Sequence, residues 1–134
     1  MKRSRSLPFR SFCLDKAEID EVFMYYDVAR VFSCRTPTGV AFLAYWADEL
    51  YVDDGEGYDG DQWMAVKLSD VRLEQLRVGD ISMREALTDP EDGRILFIDA
   101  PDRKDCSERW VKPEELEKDY FPDASCRLSL EPRA

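Results

Sequence analysis

Residues 29–46 read ARVFSCRTPTGVAFLAYW and contain the clearest fold signal in the chain. In a β-strand, successive side chains point to opposite faces, and the residue types in 29–35 follow this two-residue repeat. Residues 36–39 (Thr-Pro-Thr-Gly) form a turn signal, because proline presets φ and glycine accepts a positive φ. Residues 40–46 are apolar on both sides, so we expect a central strand. The stretch therefore predicts a β-hairpin that nucleates a sheet.

Four further runs on either side of this hairpin are rich in β-branched, aromatic or apolar residues. They cover residues 22–26, 63–68, 94–100 and 108–112, the last being the weakest. Turn residues bound most of them, including Asp27 before the hairpin and Glu91-Asp92-Gly93 before residue 94. We therefore expect about five to six strands.

Two short helices are predicted between strands four and five. The first begins with Ser69 as its N-cap and ends at Gly79, which suits a left-handed C-cap. Its candidate buried positions are Val71, Leu73 and Leu76. The second begins with the capping box of Ser82 and Glu85 and stops at Pro90, which cannot continue a helix.

The fold class is therefore α+β, with an antiparallel sheet of about five to six strands and two short helices inserted between strands four and five. Strands are grouped rather than alternated with helices, which excludes a parallel α/β sheet. Residues 1–14 hold four basic side chains and no acid, and we expect a flexible basic arm over residues 1–16. Residues 17–128 are expected to form one domain, and residues 129–134 a tail.

Five stretches also carry a resemblance to known sequences. They are YYDVARVF (25–32), FLAYWAD (42–48), WMAV (63–66), LEQLRVGDISMREA (73–86) and YFP (120–122). With them, residues 24–128 resemble an uncharacterised bacterial family of small acidic α+β proteins, a domain of unknown function. The resemblance implies the fold and a single domain, and it implies no activity and no catalytic residue.

The charge of the chain limits its partners. Its 134 residues include 19 Lys+Arg and 29 Asp+Glu, for a net charge of -10 and a pI of about 4.5. Binding to nucleic acid or to an anionic membrane needs a basic face, so neither is expected as a partner. No apolar run approaches the ~20 residues of a membrane span, and no secretory signal is recognisable, so we expect a cytoplasmic protein.

Metal, cofactor and nucleophile chemistry have little support in the residue types present. Histidine is absent, which removes the commonest general base and metal ligand. The four cysteines, Cys13, Cys34, Cys106 and Cys126, are scattered without a C-x-x-C pair. We therefore expect four free thiols, no metal, no cofactor and no assembled catalytic set.

An acidic, glycine-containing stretch over residues 48–62 is the first candidate site. It holds seven acids and no Lys or Arg. The candidate partner-binding residues are Asp53, Asp54, Glu56, Asp59 and Asp61. The stretch is predicted to be a long loop, which is either a solvated connection or a surface for a basic protein. A calcium site is not expected, because the EF-hand spacing fails.

Strand aromatics form the second candidate site. Alternation places Tyr25 opposite Tyr26, and Tyr45 opposite Trp46, so that both sides of the sheet carry aromatic rings. Two short helices cover one side fully and the other only in part. Tyr26, Tyr45 and Trp46 are therefore candidate partner-binding residues, unless the N-terminal arm or the tail covers them.

Three functions follow as hypotheses. The first is a non-enzymatic interaction module that docks on a basic protein, as an antitoxin, immunity or inhibitor protein does. The second is a carboxylate-based enzyme or small-ligand-binding domain, with Asp27, Asp48 and Asp99 at strand ends as its candidate acids. The third is a structural module whose open sheet edge pairs into a homodimer.

Overall fold

The computed structural model describes residues 5–50, 60–101 and 106–133. It contains one antiparallel sheet in which six strands follow one another in chain order. The strands are β1 (Glu18–Tyr26), β2 (Val28–Arg35), β3 (Ala41–Leu50), β4 (Gly60–Leu68), β5 (Ile95–Pro101) and β6 (Ser107–Val111). The predicted α+β class, the antiparallel sheet and the position of the helices are confirmed.

The hairpin of residues 29–46 forms as predicted, by β2 and β3. Its strands pair from Arg35–Ala41 to Val31–Tyr45. At the turn, Gly39 has φ of 89° and its N–H donates to the Thr36 carbonyl at 2.9 Å. The turn residues therefore set the register that the alternation of the strands requires.

β3 and β4 are longer than the sequence indicated. The acids near the ends of the predicted loop belong to strands, because Glu49 pairs with Asp61 and Leu50 with Gly60. The prediction of a loop over the whole of residues 48–62 was therefore wrong at both ends. β4 also pairs with β5, and this pairing continues to Gly60–Pro101. The polar residues at the start of β4 therefore belong to the sheet.

The two helices are α1 (Asp70–Val78) and α2 (Met83–Thr88), and both begin at the predicted caps. The Ser69 hydroxyl accepts from the Arg72 N–H, and Gly79 ends α1 at φ of 88°. Val71 was wrongly predicted to be buried, since it is 70% exposed while Leu73, Leu76 and Arg77 face inward. The inward stripe runs from Leu73 by three and four residues, which leaves Val71 on the outside.

Both sides of the sheet are covered, each by its own core. The helix face is the side on which α1 and α2 pack, with Val31, Leu43, Met64, Val66, Leu73, Leu76 and Phe97 in its core. The strap face is the opposite side, with Phe9, Leu14, Phe32, Cys34, Phe42, Trp63 and Ile98 in its core. Alternation along each strand separates the two sets.

Residues 5–16, here called the strap, cover the strap face. Phe9 lies with its ring centroid 4.8 Å from that of Trp63, and Leu14 is 1% exposed. Ser11 and the Cys13 N–H both donate to the Glu108 carboxylate of β6. This differs from the flexible arm expected over residues 1–16, because the apolar residues between the basic ones find a sheet face that the helices leave bare.

The C-terminal residues also pack against the domain. The Leu130 N–H donates to the Arg77 carbonyl at 2.8 Å, and Arg77 donates to the Glu131 carbonyl at 3.0 Å. The Arg77 guanidinium is buried and binds Glu21 of β1 at 2.6 Å and Glu74 at 3.1 Å. Residues 129–133 therefore join α1 to β1, in the part of the tail that is described.

Candidate protein-docking site

The sheet opens between β2 and β3 at one end. Their last pair is Val31–Tyr45, although both strands continue. Among the described residues beyond it, β2 pairs with β1 up to Val28–Tyr26, and β3 pairs with β4 up to Leu50–Gly60. We call the gap between residues 28–30 of β2 and residues 46–50 of β3 the fork.

The fork contains an open groove of about 410 Å³. Its lining includes Met24, Tyr26, Val31, Tyr45, Trp46 and Arg30, with Glu49 at the end of β3. Val31 and Tyr45 belong to the helix face, whereas Trp46 packs with the strap face. The groove is therefore lined by residues that belong to both faces of the sheet.

Trp46 and Arg30 are held in place at the strap-face side of the groove. The Trp46 Nε1 donates to Asp61 Oδ1 at 2.7 Å, and Arg30 Nη1 is 3.4 Å from the same oxygen. The Arg30 guanidinium also lies 5.1 Å from the centroid of the Trp46 ring, and its Nε donates to the Tyr26 carbonyl. One carboxylate of β4 therefore orients side chains from β2 and β3 and links them to the tip of the first hairpin.

The tip of the β1–β2 hairpin exposes large apolar side chains beside the groove. Met24 is 55% exposed, Tyr25 59% and Tyr26 72%. Asp27 forms the tight turn with φ of 63°, a conformation that Asp tolerates better than most residues. Tyr25 faces a second open groove, of about 420 Å³, on the strap side of the hairpin. Tyr25 and Tyr26 thus lie on opposite sides, as the alternation predicted.

Tyr45 supplies the most buried hydroxyl of the groove lining. Burial raises the pKa of this hydroxyl above its ordinary value, and the electrostatic interaction with Cys126 acts in the same direction. The group therefore stays protonated through the neutral range and can both donate and accept a hydrogen bond.

The structure brings four of the predicted site residues together. Tyr26, Tyr45 and Trp46 line one groove, and Asp61 holds the Trp46 ring from behind. Asp53, Asp54, Glu56 and Asp59 lie outside the described residues. Sequence reasoning missed Met24 and Arg30. Their signal was weak, because an apolar residue and a base in strands usually indicate a core position and a solvated face.

Each of the three acids of the enzyme hypothesis has different surroundings. Asp27 is exposed at the hairpin turn, and Asp48 is exposed and accepts from the backbone N–H of Glu49. Asp99 accepts from Gln62 Nε2 at 2.9 Å and lies 3.8 Å from Arg109. In the described ranges, no group of three or more His, Cys, Asp or Glu side chains is placed to hold a metal ion.

A family model matches residues 6–124, and its description is a family of unknown function, DUF6575. The chain belongs to this family. The DUF6575 match begins at residue 6, so it includes residues 6–16 of the strap, whereas the resemblance in sequence began at residue 24. No curated protein and no solved structure matches the chain. Neither helix in the described part of this DUF6575 member is long and apolar enough to cross a membrane.

Proposed function

We propose that the protein is a non-enzymatic interaction module that docks on a basic partner protein through the fork groove. The observation that carries the proposal is the groove itself, which is lined by Tyr26, Tyr45 and Trp46 and is open to solvent. Tyr, Trp and Arg are the residues that most often dominate the binding energy of protein interfaces.

The groove is organised before any partner binds. Asp61 holds the Trp46 ring and the Arg30 guanidinium, so neither side chain has to be immobilised on binding. Ordering a side chain rich in rotamers costs about 0.5–1.5 kcal/mol on association. A preset aromatic groove therefore favours a docking role over a solvent-facing surface with no partner.

Charge favours a basic partner. The chain has a net charge of -10, and the exposed Asp27 and Asp48 lie at the same end of the sheet as the groove. Leu50 and Gly60 are paired at that end, and the sequence between them adds Asp53, Asp54, Glu56 and Asp59 without a base. Opposite charge would accelerate association and select the partner. We propose the same four acids as part of the recognition surface.

An acidic docking protein of this kind suits the role of an antitoxin, an immunity protein or an inhibitor in a bacterial cytoplasm. Such proteins act by covering a basic surface of their target, and they need no catalytic group. The carboxylate-enzyme alternative has less support, because Asp27, Asp48 and Asp99 each have a different environment.

The self-association alternative also has less support. β1 is an edge strand, but its pairing with β2 is interrupted by three register shifts, which twist an edge away from a new neighbour. The strap adds a bridge from Ser6 to Glu18 at the start of this edge. Two copies would also bring together two chains that each carry a net charge of -10.

Affinity capture from a host lysate with matched variants tests the proposal. We expect the native chain to retain a basic protein that is released by salt, and Tyr26→Ser to lose it. Phe12→Ser is the control, because Phe12 is also an exposed aromatic, at 89%, but lies on the strap. Equal capture by both variants, or a chain that retains no protein, would contradict the proposal.

A further inference from the structure

We propose that the surface between α1 and β1 is a second docking site, which binds an extended basic segment of a partner protein. Residues 127–133 of the chain, here called the C-terminal segment, occupy this surface as an internal ligand. In the described ranges, the surface shares no residue with the lining of the fork groove, so the inference goes beyond the proposed function. The partner segment would replace the C-terminal segment by making the same contacts.

The C-terminal segment lies outside the matched domain and adds little to the core. The family model ends at residue 124, before the segment starts. All residues of the segment are described, and none belongs to a helix or a strand. They are exposed apart from Leu128, which packs beside the helix-face core. Polar contacts therefore hold the segment, as they hold a bound extended peptide.

α1 binds the backbone of the C-terminal segment. The Leu130 N–H donates to the Arg77 carbonyl at 2.8 Å, and Arg77 Nη1 donates to the Glu131 carbonyl at 3.0 Å. The Arg133 N–H donates to Glu74 Oε1 at 3.2 Å. The segment contributes only main-chain groups to these bonds, so another extended segment can form them with a different sequence.

The side-chain contacts of the segment select positive charge. Arg133 donates to Asp20 Oδ2 at 3.3 Å and to Glu21 Oε1 at 2.9 Å, and both acids belong to β1. At the other end of the segment, Arg127 donates to the Gly79 carbonyl at 2.8 Å, just beyond α1. The C-terminal end of a helix carries a partial negative charge that favours a cation. The surface therefore attracts a cation at each end of the bound segment.

Contacts inside the family domain organise this surface. The buried Arg77 guanidinium is held by Glu21 at 2.6 Å and by Glu74 at 3.1 Å, and all three residues lie within the family match. The Gly79 N–H donates to the Leu76 carbonyl, so α1 has its own C-cap. A surface that the domain itself presets can accept another segment with little further ordering of its side chains.

The C-terminal segment is held by contacts that exchange readily. The Arg133 side chain is 43% exposed, and its partners Asp20 and Glu21 are 30% and 26% exposed. Ion pairs open to solvent contribute little to stability and are screened by salt. Leu130 is 37% exposed, so its side chain adds little burial. A partner segment with the same charges would therefore compete for the surface.

The probe is an acetylated, amidated and labelled peptide with the sequence of residues 127–133, titrated against full-length chains by fluorescence anisotropy. An internal ligand competes at an effective concentration of about 1 mM, so the native chain should bind the peptide weakly. Arg133→Glu places an acid beside Asp20 and Glu21, so it should release the segment and raise the affinity for the peptide roughly tenfold or more. Arg10→Glu makes the same charge change at an exposed residue of the strap and should leave the affinity unchanged.

Variants of the site and of the peptide identify what is recognised. In the Arg133→Glu chain, Glu74→Gln should weaken binding, because Glu74 accepts from the backbone of the segment. Tyr26→Ser should not, because Tyr26 lines the fork groove. A peptide whose last arginine is replaced by glutamate should not bind. A peptide that keeps both arginines and the second-position leucine, with other residues between them, should bind within roughly tenfold of the original.

Hydrogen exchange tests the native chain without any variant. Saturating peptide should displace the C-terminal segment and speed exchange at the Leu130 amide, which donates to the Arg77 carbonyl. The Leu73 amide, which donates to the Ser69 carbonyl at the start of α1, should keep its rate. An unchanged rate at Leu130 would overturn the exchange of segments.

Other outcomes would also overturn the proposal. Equal affinity for the native and the Arg133→Glu chains would place the peptide elsewhere, and a folded Arg133→Glu chain that binds no peptide would show that the surface accepts no free segment. Binding of the native sequence alone would show a surface specific for the chain's own segment. A dimer of the native chain that the peptide dissociates would replace the partner by a second copy.

Discussion

The indole Nε1 of Trp46 donates a hydrogen bond to Asp61 Oδ1 at 2.7 Å, across neighbouring strands of the sheet. Asp61 belongs to the acidic candidate site and Trp46 to the aromatic one. The bond joins the two sites into one surface, because the carboxylate that orients the aromatic ring comes from the stretch that carries most of the local charge. The groove and the acidic character at this end of the sheet are therefore parts of the same local structure.

Loss of this carboxylate should destabilise the fork. We expect Asp61→Ala to lower the free energy of unfolding by about 1.5–3 kcal/mol, the range for hydrogen bonds to charged groups. The reason is that Trp46 Nε1 and Arg30 would lose a common acceptor. Urea unfolding followed by circular dichroism measures this change. Asp80→Ala, an exposed acid after α1, should change stability by no more than ~0.5 kcal/mol.

The strap should be part of the folded domain. We expect Phe9→Ala to lower the free energy of unfolding by about 3–5 kcal/mol, since the ring is 9% exposed and packs on Trp63 and Phe32. Phe12→Ala is the matched control, because this ring is 89% exposed and its loss leaves no cavity. Thermal unfolding of the two variants decides the point. Equal melting temperatures would mean that the strap does not contribute to stability.

The ion pair of Arg77 with Glu21 should make stability depend on acid pH. The Arg77 guanidinium lowers the pKa of the Glu21 carboxyl below its ordinary value, mainly by hydrogen bonding. A lowered folded-state pKa contributes stability above the unfolded pKa, ~4.3 for Glu, and this is lost as pH falls through the folded value. Lowering the pH below about 4.3 should therefore reduce the free energy of unfolding of Glu21→Gln by less than that of the native chain.

The same variant should be less stable than the native chain at neutral pH, because Arg77 is buried and keeps its charge. Glu114→Gln changes an exposed carboxylate without this pair and serves as the control. A native chain whose acid unfolding curve matches that of Glu21→Gln would show that the pair does not control acid stability.

Two glycines test whether the C-terminal residues are docked on α1. Gly79 and Gly93 both have positive φ, of 88° and 75°, but a Cβ at Gly79 would lie 2.6 Å from the Leu128 carbonyl oxygen, whereas Gly93 faces open space. Gly93→Ala should therefore lower the free energy of unfolding only by the conformational strain at this position, about 1–2 kcal/mol. Gly79→Ala should cost more and increase proteolysis after residue 122. Similar losses in both variants would contradict the docked position of Leu128.

Thiol labelling should separate the cysteines. Burial raises the pKa of the Cys34 thiol to about 12, so almost no thiolate is present near neutral pH. We expect Cys34 to react with a maleimide only in unfolded protein, and the exposed Cys13 to react in native protein. Mass spectrometry of peptides after timed labelling gives both rates. Rapid native labelling of Cys34 would show that the strap face opens readily.

Local signals in the sequence located the central turn and the helix starts, although they missed the ends of β3 and β4. The turn at Gly39 and the caps at Ser69 and Ser82 have short-range physical causes, and each lies where it was predicted. Burial on a short helix was less predictable. Val71 is exposed because it lies off the inward stripe of α1. Arg77 is buried because Glu21 and residues 130–133, which only the folded chain brings near, add partners to the local one, Glu74.

The sequence predicted which residues are candidates for the site, but it did not predict how they lie relative to one another. Tyr26, Tyr45 and Trp46 could be selected because strand aromatics with opposite directions cannot all be covered by two short helices. Their convergence on one groove depends on where β2 and β3 separate, and the composition of either strand does not state this. The covering of the strap face by Phe9 and Leu14 was likewise left open by the sequence.

The sequence by itself determined the antiparallel sheet, the two capped helices and the acidic charge, because alternation, turn chemistry and composition are local properties. Only the tertiary structure decided that the strap closes one face, that Arg77 is buried among acids, and that the fork opens between β2 and β3. These features come from contacts between residues far apart in the chain, whose free energies depend on packing and on shared hydrogen-bond partners.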